Sequence, residues 1–177
     1  GSRNRRDDAF EHDLQLAALR MGLSRFDAEL VEVDWRSPTS IDWSQFTAAL
    51  IGTTWDYADH FEAFTTYLDW LVRQDILVLN PPELVRWNGE KTYLKSLAQR
   101  GVVTIPTLWK NCPSALELHG AFEALETDIL VVKRQIGAGA EGQILYRLGD
   151  NLSDYPHPAL IQPFIPSIQT EGEYSFI

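Results

Sequence analysis

The chain is poor in sulfur and in positive charge. Its 177 residues include one cysteine, Cys112, and one methionine. A single cysteine excludes an internal disulfide framework and fits a reducing, cytoplasmic compartment. Cys112 lies in a polar turn, Lys110-Asn111-Cys112-Pro113, with no neighbouring base, and reads as structural. No apolar run approaches the length of a membrane span, and no signal peptide is visible. Lys and Arg number 15 against 25 Asp and Glu, a net charge of −10. That balance argues against a nucleic-acid partner held by phosphate neutralisation. His12, His60, His119 and His157 are scattered without metal-ligand spacing. No Ser/His/Asp or Cys/His constellation, internal repeat or low-complexity segment stands out.

What is present reads as a soluble globular protein of one or two domains, 45% hydrophobic and 23% charged. Phe10, Leu14, Ala17 and Met21 recur at helical spacing before Gly22. Leu30 to Trp35 alternates like a strand, and Ala48 to Thr53 and Ile76 to Leu79 read as buried strands. Between the last two, Ala58 to Gln74 predicts an amphipathic helix with Phe61, Phe64, Leu68, Leu71 and Val72 on one face. Strands alternating with helices predict a parallel, doubly wound α/β sheet. Such units normally open with a strand, so a first strand is expected before Gly1. Asn88 reads as the N-cap of a helix to about Arg100, with Gly101 past its end. Ser114 and Glu117 form a capping-box pattern for a helix to about Leu125. Ala159 to Ile168 reads as extended, and Tyr174 to Ile177 as the start of a further strand, so the chain is expected to be truncated at both ends.

The segment Ile129 to Gly142 carries the clearest chemistry. An apolar strand ends in Lys133, and a loop with Gly137, Gly139 and Gly142 follows. Glycine lets backbone N–H groups approach phosphate oxygens, and lysine adds a point charge. The spacing G-x-G-x-x-G also belongs to dinucleotide-binding folds, but there a helix must open at the loop. Here Gln143 to Leu148 is branched and aromatic, which predicts a strand and makes the loop a hairpin tip. A protein-kinase glycine loop is also a hairpin, but its lysine comes later. A plain flexible hairpin with a surface lysine stays open on this stretch alone.

Several motifs occur in order. Asn80-Pro81-Pro82 is followed by Trp87-Asn88-Gly89-Glu90-Lys91-Thr92-Tyr93-Leu94, then Pro106-Thr107, the strand ending in Lys133, the glycine loop, Gln162-Pro163-Phe164-Ile165 and Gly172-Glu173-Tyr174-Ser175. This order resembles the ATP-grasp superfamily, in its glutathione-synthetase-like branch of carboxylate–amine ligases. The resemblance implies a Rossmann-like pre-ATP-grasp domain over residues 1–86, an α+β ATP-grasp lid over 87–165, and the start of the C-terminal subdomain over 166–177. It implies that Lys91 and Lys133 reach the nucleotide phosphates and that Gly137, Gly139 and Gly142 close over them. It implies that Gln162, Pro163, Phe164 and Ile165 line the adenine, with the backbone of Phe164 and Ile165 reading the base edge, and that Glu173 binds the ribose. Trp55 and Asp56, just past a strand's carboxyl end, are candidate substrate contacts.

The implied reaction is ATP-dependent: a carboxylate is phosphorylated, an amine attacks the acyl phosphate, and an amide forms. The implied cofactors are ATP and Mg2+, with the metal ligands expected beyond residue 177 and none within the chain. The implied partners are small carboxylates and amines; a homo-oligomer stays open. Arg134 stands where the family often has proline, and Ala138 and Ala140 where small hydroxyl residues are common. The rival reading is a non-catalytic nucleotide-binding or interaction module.

Overall fold

The computed structural model describes residues 9–37, 41–137 and 142–172. The chain divides into two compact units, Gly1–Arg86 and Trp87–Ile177. It is a mixed α/β protein with one parallel and one antiparallel sheet.

The first unit is built on a parallel pair. Strand β1 (Ala48–Leu50) lies beside β2 (Leu77–Leu79), with Ala49 opposite Val78. Helix α2 (Phe61–Arg73) joins them and buries Phe64, Leu68 and Leu71. These side chains recur every three to four positions, so one stripe of the helix meets Val78, Ile76 and Trp43 in a common core. The predicted helix start is instead a separate 3-10 turn, Trp55–Asp59, and Val72 is left exposed.

One expectation in this unit is corrected. Leu30 to Trp35 forms no strand. Its alternation is used without a ladder: Val33 and Trp35 pack on the core, and Glu32 pairs with Arg20. Helix α1 (Ala9–Leu23) forms, but the stripe Phe10, Leu14, Ala17 and Met21 is exposed. The half-buried stripe is His12, Leu16, Leu19 and Leu23, at helical spacing. Both stripes are apolar enough to serve, and the one ending in His12 and flanked by Arg20 also finds polar partners.

The second unit is a four-stranded antiparallel sheet in the order β3 (Leu108–Lys110), β6 (Ala159–Pro163), β4 (Ile129–Arg134), β5 (Ile144–Arg147). β4 and β5 form the expected hairpin, with Ile129 opposite Arg147. Helix α5 (Ala115–Ala124) covers one face. Its Leu118, Ala121 and Phe122 pack on Leu130, Val132, Tyr146 and Ile161. The α5 capping box is present in full: Glu117 N–H donates to the Ser114 hydroxyl, and Ser114 N–H to the Glu117 carboxylate. Together they satisfy two otherwise unpaired amides.

The helix expected from Asn88 to Arg100 is two helices. Pro82 opens α3 (Pro82–Gly89), so Asn88 lies inside it, and α4 (Tyr93–Gln99) follows a turn. Proline at a first helical position lacks only an amide that would be unpaired anyway. Gly101 does follow α4 with positive φ, +85°. The segment expected to be extended to Ile168 ends at Pro163, and a short helix α6 (Ser167–Glu171) begins after Pro166. Tyr174 to Ile177 and Glu173 lie outside the described residues.

Leu118→Ala is expected to lower unfolding free energy by about 2–5 kcal/mol, because Leu118 is fully buried in the second core; urea denaturation measures it. The first core has a pH signature. Burial first and Asp34 second push the Tyr67 phenol from its ordinary 10.0 up to about 12. A raised phenol contributes stability that is complete below the unfolded pKa and is lost as pH rises through the folded one. Stability is therefore expected to fall between pH 10 and about 12, and Tyr67→Phe to flatten that fall in pH-resolved denaturation.

Candidate functional site

The predicted phosphate residues of the second unit come together at the end of β4. Lys133 sits in β4 opposite Leu160 and is half-buried. Lys91 is not on a helix, as the family likeness implies; it lies in the turn between α3 and α4. Its backbone N–H donates to Gln135 O at 2.8 Å, and Glu90 bridges Ile136. A turn, unlike a helix, leaves its amides free to bond another segment, and this one is stitched to the strand end. The Lys91 ammonium then donates to the carbonyl of Gly137.

Electrostatics set Lys91 apart. Burial first, then the charges of Lys133 and Arg134, hold its ammonium below the ordinary lysine range. Like charges held close and partly desolvated favour an anion among them. The glycines supply backbone geometry. Gly137 has φ +148° and Gly142 φ +69°. A Cβ on Gly142 would stand 3.0 Å from Arg134 Cδ and 3.4 Å from the Tyr155 hydroxyl. Gly139 lies outside the described residues, with Ala138 and Ala140.

Two anchors of this region were not legible in the sequence. Tyr155 is buried and donates its hydroxyl to Gly142 O at 2.6 Å. Gln135 donates its side-chain amide to Ala159 O at 2.9 Å and Lys110 O at 3.2 Å. Neither stands in a motif; each is found by its contacts alone. Lys95 is occupied by a cation–π contact, 4.6 Å from the Trp109 ring centre.

The segment Gln162 to Ile165 runs off the end of β6. Gln162 is buried and donates to the Thr107 hydroxyl at 2.9 Å, tying β6 to the Pro106-Thr107 segment. Phe164 N–H donates to Ile129 O at 2.9 Å. That amide is committed to the sheet, so any reading of a base edge here falls to Ile165 and the carbonyls. Pro163, Phe164 and Ile165 are each half-buried.

In the first unit, Trp55 and Asp56 open the 3-10 turn beyond β1. Asp56 is already engaged. Trp35 Nε1 donates to one carboxylate oxygen at 2.9 Å, and Arg36 Nε pairs with the other at 2.6 Å. Both oxygens thus tie the Trp35-Arg36 turn in place. Beside Trp55 the structure instead brings His12, whose ring centre lies 6.1 Å from the indole. His12 contacts Thr53 and Glu32, neither near it in sequence. Spacing carried no sign of this group.

No described helix is long and apolar enough to cross a membrane. Among the described residues no group of three or more His, Cys, Asp and Glu is placed to hold a metal ion.

Lys91 gives a stability test. A depressed lysine pKa means the charged form is disfavoured by folding, so its contribution is lost as pH falls below the unfolded value. Lys91→Met is therefore expected to leave stability at pH 7 unchanged or raised, whereas Tyr155→Phe is expected to lose about 0.5–1.5 kcal/mol. Chemical denaturation of the two variants side by side reads the contrast.

Residues 2–80 match the family model of the D-cycloserine synthetase DcsG N-terminal domain. The cycloserine biosynthesis protein DcsG of Streptomyces lavendulae is 36% identical over 74 residues, 42% of this chain and 24% of that protein. The crystal structure of D-cycloserine synthetase DcsG superposes with a TM-score of 0.74 at 25% identity, over 90% of this chain and 57% of that one. The chain thus spans little more than half of that structure and is similar to D-cycloserine synthetase in sequence over its first unit and in fold over most of its length.

Proposed function

We propose that this chain is the N-terminal and lid portion of an ATP-dependent ligase of the ATP-grasp type, which closes an amide bond through an acyl phosphate. Residues 1–86 are then the Rossmann-like substrate domain, 87–165 the lid, and 166–177 the start of the C-terminal subdomain. The observation that carries the reading is the docking of Lys91 at the end of β4, its amide on Gln135 O and its ammonium on Gly137 O, just past Lys133.

The residues fit a nucleoside triphosphate. Lys91 and Lys133 would hold its phosphates as point charges. Backbone amides at Gly137 and Gly142 have no side chain to keep a phosphate away. Pro163, Phe164 and Ile165 would line the base. ATP supplies the phosphoryl group that activates the carboxylate. Lys91 would exchange its bond to Gly137 O for one to a phosphate oxygen, a charged acceptor in place of a neutral one. Mg2+ belongs to this chemistry, and its ligands are expected outside the described residues.

The likeness to D-cycloserine synthetase supports a substrate class as well. The cycloserine ring contains a carbonyl carbon bonded to a ring nitrogen. Making that bond joins a carboxylate to a nitrogen, the same bond type that carboxylate–amine ligases form. The substrates are then small amino-acid-derived molecules.

Calorimetric titration of ATP into this chain is expected to show weak binding with little dependence on magnesium. Lys133→Ala is expected to abolish it while leaving the thermal unfolding temperature intact. If the folded, full-length gene product binds no ATP, the glycine hairpin is only a hairpin and the ligase reading falls.

A further inference from the structure

At the carboxyl edge of the parallel pair, Thr53, His12 and Glu32 form a chain of contacts. His12 Nδ1 meets the Thr53 hydroxyl, and His12 Nε2 lies 3.3 Å from Glu32 Oε2. Arg20 pairs with the other oxygen of Glu32 at 2.6 Å. Three separate segments contribute: α1, the Leu30–Trp35 loop and the turn after β1. The edge outside the carboxyl ends of parallel strands is where ligands of open α/β sheets bind.

The protons follow from the acceptors. Arg20 first, then His12, holds the Glu32 carboxyl below its ordinary range, so Glu32 is a carboxylate and only accepts. His12 Nε2 must then carry the hydrogen. In the neutral ring Nδ1 is left with a lone pair, and the Thr53 hydroxyl donates to it. A hydroxyl backed by an imidazole and then a carboxylate is arranged to take up a proton at the hydroxyl as its own proton passes to the ring. The Trp55 indole flanks the imidazole as an apolar wall.

We propose that Thr53, His12 and Glu32 are a proton relay for the nucleophilic nitrogen of a small amino-acid-derived substrate bound beside Trp55. This deepens the ligase reading and rests on it. The nitrogen forms a bond to the acyl carbon, and the carbon–oxygen bond to phosphate breaks with its electron pair leaving on phosphate. The proton shed by nitrogen goes to Thr53 Oγ as the hydroxyl's own proton moves to His12 Nδ1. Glu32 stabilises the imidazolium that results. Thr53 touches the reacting atoms; His12 acts through Thr53, and Glu32 through His12.

Two measurements judge this. Nitrogen-15 NMR of the His12 imidazole in this chain, at a pH where the ring is neutral, is expected to show the Nε2–H tautomer. An Nδ1–H tautomer makes Thr53 a mere acceptor and overturns the relay. The second uses the gene product at its full encoded length, supplied with D-cycloserine, ADP, inorganic phosphate and magnesium, with ATP formation as readout. By microscopic reversibility the same relay returns the proton. His12→Ala is expected to lower that rate about 100-fold or more, as loss of a general base does, with partial rescue by added imidazole. Thr53→Val is expected to match it, Thr53→Ser to retain most of the rate, and the double variant to be no worse than either single one. ATP affinity is expected to stay unchanged throughout. Variants that keep the wild-type rate overturn the relay and leave the ligase reading standing. If the wild type binds ATP but forms none from D-cycloserine, that substrate class falls, and the tautomer alone decides the relay.

Discussion

A single tie places the cationic site: the Lys91 amide bonded to Gln135 O, with Glu90 bridged to Ile136. It brings a turn between two helices against the end of β4, and with it a second lysine into the field of Lys133. Holding the Lys91 ammonium half-buried in the field of other cations is unfavourable. Such an arrangement persists where the surrounding structure imposes it, and here the sheet does. β4 is an inner strand, paired on both sides, and its Leu130 and Val132 are fully buried.

Supporting side chains tie the backbone together around this strand end. Gln135 and Tyr155 each satisfy backbone carbonyls that strand pairing leaves over. Gln162, buried in β6, donates instead to the Thr107 side-chain hydroxyl. A buried polar side chain without a partner would cost more than its bond gains. Among the described residues every fully buried side-chain nitrogen and oxygen has one.

The first unit works by a different principle. Its core is aromatic, with Trp35, Trp43, Phe64, Tyr67 and Trp70 in mutual contact. These rings fix the loops around a short parallel pair, and the polar groups lie at that pair's edge. Asp56, which stands at the edge by its position in sequence, spends its carboxylate on Trp35 and Arg36. His12, which sequence spacing left among scattered histidines, stands beside Trp55 in contact with Thr53 and Glu32.

Local rules read from the sequence were enough for the α5 capping box, the β4–β5 hairpin and the buried stripe of α2, because each depends on neighbours a few residues apart. The likeness carried by ordered motifs named Lys91 and Lys133, and the fold brings Lys91 to the end of the strand that holds Lys133. Sequence alone found α1 but not its packed stripe, because its two apolar stripes are equivalent until the unit selects one. It also made a strand of Leu30 to Trp35, because alternation records which side chains are buried and not whether a neighbouring strand exists. The placing of Lys91 in a turn, the anchors Tyr155 and Gln135, and the Thr53–His12–Glu32 contacts were decided by tertiary structure. Each joins segments distant along the chain, and hydrogen bonds between such segments leave no periodic trace in the order of residues.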